Sequence, residues 1–274
     1  MKRLWVRALT VSLMVAAANI GLCQHPGDLV VTPTRVLLDD KTRSGDITLV
    51  NRGTETVRYR LTLVDMEMTD DGVLKRIPSS ETSAGAVLKL SPREILLEPG
   101  DSQRIKIAAF LPAGTPDEEL RSHLAFEPIS LPRPLGQPSG EGRTLRLSLE
   151  LRSVVTIPVI VRHGYLSATA SISDSAVGQD KDGSFAIFRL TRTGNRSLRG
   201  DVTVSFVPAG GGEKISLGAI VGLPVYCPNR GRLVKVRLTH DISSLGKGEI
   251  EIGFVEPERS RGAATARSVV ELQK

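Results

Sequence analysis

One stretch limits the folds open to this chain more than any other. From Thr144 to Gly164 it reads TLRLSLELRSVVTIPVIVRHG. Leu145, Leu147, Leu149 and Leu151 alternate with Arg146, Ser148, Glu150 and Arg152, and Val155, Ile157, Val159 and Val161 keep the same parity. Successive side chains of a strand point to opposite faces, so a period of two predicts one long half-apolar strand. A typical strand has about 5–6 residues, and this run is roughly three times as long. A single small sandwich has no use for a strand of that length within its own core.

The rest of the chain repeats the same logic in shorter units. LVVTPTRVLLDD, DITLV, VRYRLTLVDM, LKLSP, EILLEPGDS and QRIKIAAF are apolar-alternating runs, and turn-prone KTRSGD, NRGTE and TDDG separate the first of them. Short strands with Gly, Pro, Asn and Asp punctuation predict an all-β sandwich. PDEELRSHLAF is the one segment with the spacing of a helical turn, and LPRPLGQPSGEGR reads as a loop before the long strand. The pattern restarts after His163 with YLSATASISD, FAIFRLTR, DVTVSFVP, RLVKVRLTH, EIEIGFVEP and RSVVELQ, parted by DKDG, TGNRS and PAGGGEK. The expected architecture is two immunoglobulin-like β-sandwich domains, residues 24–163 and 164–274.

The first 23 residues have the layout of a secretory signal peptide. Lys2, Arg3 and Arg7 lead an apolar run from Ala8 to Ala18, and small residues follow. That run is about half the ~20 residues a membrane-spanning helix needs. Cleavage after Cys23 is the preferred reading. A lipoprotein acylated on Cys23 stays open, although Leu22 fits that pattern poorly. The leader carries three basic residues and no acidic ones, so the remaining 251 residues keep +3 of the formal +6. So mild a charge is not a nucleic-acid signature. Cys227 is then the single cysteine, so no internal disulfide can form, and its bland role is a buried, inert thiol.

Catalytic and metal-binding patterns are unconvincing. His25, His123, His163 and His240 are scattered, without the spacing of a zinc site. GGGEKIS lacks the spacing of a phosphate loop and reads as a hairpin turn. Ser122 and His123 are neighbours whose side chains point apart on a strand. Asp39–Asp40 and Asp70–Asp71 fall in turns, where carboxylates are usually solvated. No enzyme activity, cofactor, metal, nucleic acid or small-molecule substrate is expected.

Five stretches, in order, resemble the periplasmic chaperones of the chaperone–usher pilus pathway. They are TPTRVLLDD with its arginine, ITLVNRGTETVRYRL around an Asn-centred turn, LSPREILLEPGDSQRIKI, DEELRSHLAFEPIS, and the long alternating strand with Arg162 at its end. Together they cover roughly residues 29–162; the second half matches only in its general pattern. The resemblance implies a periplasmic, non-enzymatic chaperone that lends its long strand to an immunoglobulin-like pilus subunit lacking one, and hands the subunit to an outer-membrane usher. In such donor-strand complementation, backbone bonds hold the strands and alternate side chains fill pockets. Leu145, Leu147, Leu149 and Leu151 would be the donor row, each fully buried leucine contributing about 1.5–3 kcal/mol.

The resemblance also implies two basic residues in the cleft that bind the subunit's C-terminal carboxylate. Arg35 matches the first. The second is a lysine in the family, and the corresponding position here is Pro158, which has neither charge nor N–H. Arg152 is the candidate replacement if the strand is bulged. The competing readings are a solvated surface arginine at 35, leucines that only fill the domain's own core, and a structural or adhesive β-sandwich protein without a client. A carbohydrate-binding module is the weakest, since the only tryptophan, Trp5, sits in the leader.

Overall fold

The computed structural model describes residues 29–129, 153–257 and 262–272. The leader, the Pro/Gly loop, the leucine row Leu145, Leu147, Leu149 and Leu151, and Arg152 all lie outside the described residues.

Ten strands build the first sandwich. They are β1 (Leu29–Thr32), β2 (Val36–Leu38), β3 (Ser44–Asn51), β4 (Val57–Met68), β5 (Leu74–Ile77), β6 (Leu88–Ser91), β7 (Glu94–Leu97), β8 (Ser102–Ala109), β9 (Glu118–Ile129) and β10 (Val155–His163). One sheet has the order β1-β3-β8-β6; the other runs β2-β10-β9-β4-β5, with β7 also on β4. Seven strands build the second sandwich: β11 (Ala168–Asp180), β12 (Gly183–Gly194), β13 (Leu198–Pro208), β14 (Ile215–Val225), β15 (Gly231–Arg237), β16 (Gly248–Val255) and β17 (Thr265–Leu272). Their sheets are β11-β12-β15 and β14-β13-β16-β17. The one helical element among the described residues is a 3-10 turn at Ile242–Ser244, opened by Asp241 accepting the Ser243 N–H.

Each sandwich closes on its own apolar core. In the first, Ile157, Val159 and Val161 of β10 meet Ile47, Leu49 and Ile105 of the opposite sheet, all buried. The odd-numbered face of β10 is therefore core, as the alternation predicts. In the second, Phe188, Val204 and Phe254 sit at the centre. The Asn-centred turn after β3 explains itself locally: Asn51, fully buried, donates from Nδ2 to the Glu55 and Leu97 carbonyls and accepts the Gly53 N–H. A buried amide keeps its place because its polar atoms are satisfied.

Three expectations need correction. Residues 116–126 form no helical turn; Glu118–Ile129 is β9, a central strand between β4 and β10. Leucines 120 and 124 share a helix-like spacing, but every residue from Glu119 to Phe126 is buried. A strand covered on both faces has no reason to alternate, so its period misleads. Second, LVVTPTRVLLDD is two strands in opposite sheets. β1 pairs with β3, and β2 pairs in parallel with β10. Pro33, without an N–H, falls at the crossing between them. Third, ISLGAIVGLPV is β14, an edge strand whose glycines and proline hide it from a pattern search; two irregularities in its register with β13 take up the mismatch.

Leu124 is wholly buried on the central strand. Leu124→Ala removes its packing where relaxation is least possible. The expected loss is about 2–5 kcal/mol in urea unfolding of the first sandwich, followed by circular dichroism.

Candidate functional site

The two sandwiches meet along the even-numbered face of β10. Pro158, Ile160 and Arg162 stand opposite His123, Arg121 and Glu119 of β9, on the side of the sheet away from the first core. Ile160 packs with Met68 and with Tyr226, the residue after β14, in a small apolar cluster that joins the domains. Cross-domain hydrogen bonds surround it. The hairpin tip between β4 and β5 docks on β15, with the Leu233 N–H donating to the Asp70 carbonyl at 2.6 Å. Arg189 clamps the Asp70 carboxylate with two bonds of 2.7 Å, which hold that carboxyl below its usual range. At the linker, Asp40 accepts the Gly164 N–H at 2.9 Å and contacts His163 Nδ1 at 2.6 Å. Of the turn carboxylates expected to be merely solvated, Asp70 ties the two domains together and Asp40 holds the start of the linker.

Glu119 is the centre of this junction. Its side chain has no solvent exposure, and it accepts from Arg162 Nε at 2.8 Å, from the Ser197 N–H at 3.0 Å and from the Ser197 hydroxyl. Arg162 also donates to the Ser197 carbonyl at 3.2 Å. One carboxylate thus fixes the last arginine of β10 to the strand entry of β13.

Arg35 precedes β2 by one residue. Val36 pairs with Val159, so Arg35 comes alongside Pro158. Arg35 is partly buried, and its Nε is buried with no hydrogen-bond partner. Burial lowers its proton affinity, and repulsion from Arg162 and Arg199 adds to this, against Tyr226 and Glu119. The guanidinium remains charged, since arginine starts far above neutrality. Arg121, more deeply buried, donates to the Met66 carbonyl at 3.0 Å and lies 4.3 Å from the centre of the Tyr226 ring. Burial raises the Tyr226 phenol, with Arg121 and Arg35 pulling the other way. A partly buried guanidinium whose Nε has no acceptor among the described residues suits a carboxylate, which can take two parallel N–H bonds from such a group.

The backbone beside Arg35 is equally unfinished. β9 pairs with all of Val155–His163, but β2 covers only Val159–Val161 on the other side. Among the described residues no strand pairs with that second edge from Val155 to Pro158. Arg121, Glu119, Arg199 and Tyr226 escaped the sequence reading. Charged residues in long strands look like solvated positions until the second domain is laid over them; only the buried-strand character of residues 119–126 could have flagged the first two. Cys227 is buried, its thiol raised by that burial, as befits an inert cysteine. Among the described residues no three His, Cys, Asp or Glu side chains gather as metal ligands would.

No protein-family model matches this chain, and no curated protein does. Solved structures similar to it include fimbrial chaperones. The class 5 fimbriae chaperone CfaA aligns at 11% identity over 90% of this chain and 100% of its own, with a TM-score of 0.45. The chaperone YadV aligns at 15% identity over 89% and 100%, with a TM-score of 0.46. The Salmonella enterica SafA pilin in complex with the SafB chaperone aligns at 12% identity over 89% and 97%, with a TM-score of 0.44. No residue role passes from them to this chain.

His123 gives the junction a pH dependence. It is buried, both ring nitrogens lack partners, and its ring stands edge-on to Tyr226 at 6.2 Å. Burial first, then Arg121, lowers its pKa to about 4, against a smaller pull from Asp65. The unfolded chain therefore takes a proton near pH 6.5 that the folded chain refuses until about pH 4. The stability tied to the neutral ring is complete above pH 6.5 and is lost as pH falls to about 4. That loss is at most about 3 kcal/mol. Urea titrations across this range should show His123→Leu losing less stability on acidification than the wild type.

Proposed function

We propose that this chain is a periplasmic chaperone that binds an incomplete immunoglobulin-like pilus subunit by strand addition and delivers it to an outer-membrane usher. The observation that carries the reading is the half-covered edge of β10, without a partner strand from Val155 to Pro158 among the described residues and covered where β2 begins, with Arg35 beside that point. A strand added there has N–H and C=O groups waiting for it, which is how strand addition gains affinity. β2 runs parallel to β10 on that edge. An added strand running the same way would stop at β2 with its C-terminal carboxylate at Arg35, whereas the opposite direction would bring an ammonium to a guanidinium. The chemistry selects the parallel direction and a client that ends there.

The leucine row supplies the rest. Leu145, Leu147, Leu149 and Leu151 share the parity of Val155, Ile157, Val159 and Val161. On this reading the four leucines are the side chains that would fill the open client core. Four such side chains at about 1.5–3 kcal/mol each exceed what Arg35 offers, so the row supplies affinity and the arginine sets register. Arg152 stays a candidate for the carboxylate anchor on the same reading. No step of this function breaks or makes a covalent bond.

The test is recovery of a small immunoglobulin-like subunit, identified by mass spectrometry, with the tagged protein from the envelope of its own cells. Arg35→Ala should cut recovery about tenfold or more, the worth of one charge-assisted contact. The double change Leu147→Glu with Leu149→Glu should abolish it. Equal recovery with all three proteins removes strand donation and the anchor together.

A further inference from the structure

The cleft holds more positive charge than its own carboxylate can answer. Arg162 is occupied by Glu119 and the Ser197 carbonyl. Arg35 is not occupied at Nε. A further guanidinium, Arg199, comes from the other domain. Ser197 and Arg199 are two residues apart at the start of β13, so they share a face, and Ser197 is the residue that meets Arg162 and Glu119. Leu198 between them points the other way, into the second core. Arg199 pairs across to Pro224 of β14, two residues before Tyr226. Its side chain therefore lies on the junction side, and it is close enough to lower the proton affinity of Arg35.

Two features hold Arg199 there. Its backbone N–H donates to Glu256 Oε1 at 3.0 Å, and Glu256 is itself clamped by Arg196 at 3.0 and 2.9 Å. Glu256 is thereby spent on Arg196, and no acceptor for the Arg199 guanidinium occurs among the described ion pairs. The guanidinium rests against Gly222, where any Cβ would collide with Arg199 Nη2. Gly222 also has a φ of +67°, a conformation open to glycine and costly for other residues.

We propose that Arg199 is the second cation of the carboxylate anchor, supplied by the second domain, at a site where Pro158 puts no charge on β10. The inference rests on the proposed strand-addition function and adds to it a residue and a role for the second sandwich. Arg35 approaches the carboxylate from the β2 side and Arg199 from the β13 side, while Glu119 keeps Arg162 out of the contact. The cleft is then a two-domain site, complete only while the junction holds its geometry.

The experiment uses the purified protein and a short peptide of alternating valine and serine, made with a free C-terminal carboxylate and again as the C-terminal amide. Calorimetry gives the ratio of the two affinities. The wild type should favour the acid by about tenfold or more, as charge-assisted bonds do. Arg199→Ala should reduce that ratio severalfold while leaving amide binding unchanged, and Arg199→Lys should restore most of it. A lost packing contact would move both peptides together and would not be rescued by lysine. If Arg199→Ala keeps the wild-type ratio while Arg35→Ala lowers it, Arg199 is no part of the anchor and the strand-addition reading stands. A wild-type ratio near one, or no binding of either peptide, overturns the anchor itself.

Discussion

A carboxylate with no exposure to water needs every lone pair answered, and Glu119 finds its donors in two domains. Arg162 comes from the last strand of the first sandwich; Ser197 comes from the strand entry of the second. An unpaired buried charge costs several kcal/mol, so neither domain can turn away without stranding this one. The other ties follow from the geometry that Glu119 fixes. The β4–β5 tip reaches β15, Asp70 reaches Arg189, and Tyr226 reaches Ile160 and Met68. The same bond decides the electrostatics of the cleft. Arg162 is neutralised from within, whereas Arg35, Arg121 and Arg199 have no carboxylate partner among the described ion pairs.

β10 has two faces with separate duties. Ile157, Val159 and Val161 hold the first core together, while Ile160 and Arg162 build the joint to the second. Its two edges are also unlike: β9 covers one for the whole length of the strand, and β2 covers three residues of the other. One strand thus serves as core, hinge contact and unfinished edge. This division explains why Pro158 is tolerated in the middle of it. Proline withholds one N–H from the ladder, and a position where one edge has no neighbour among the described residues can spare it.

Much of the fold was legible because one-sided strands announce themselves. The odd parity of residues 155–161, the turn at Asn51 and the hairpin at Ala209–Lys214 all follow from local rules about side-chain direction and turn residues. β9 was misread because it is buried on both faces, and β14 because its glycines serve a bulge and a seat for Arg199. The cleft was half legible. Arg35 stood out as a charge within an apolar run. Glu119, Arg121, Arg199 and Tyr226 did not, because their surroundings come from the partner domain, and contacts between residues as far apart as Glu119 and Ser197 leave no periodic trace in either segment.

The brevity of β2 has a consequence of its own. A guest strand seated beside Val155 and halted by Val36 would be located by where it stops. Its position would be counted backward from its final residue, and the identity of the residues before it would matter only through their odd or even distance from that end. Such a gauge is indifferent to how long the guest is and to most of what it spells. One chaperone of this build could therefore serve a set of unrelated sequences, provided that each finishes on an open carboxylate and keeps its apolar side chains in step with the leucines.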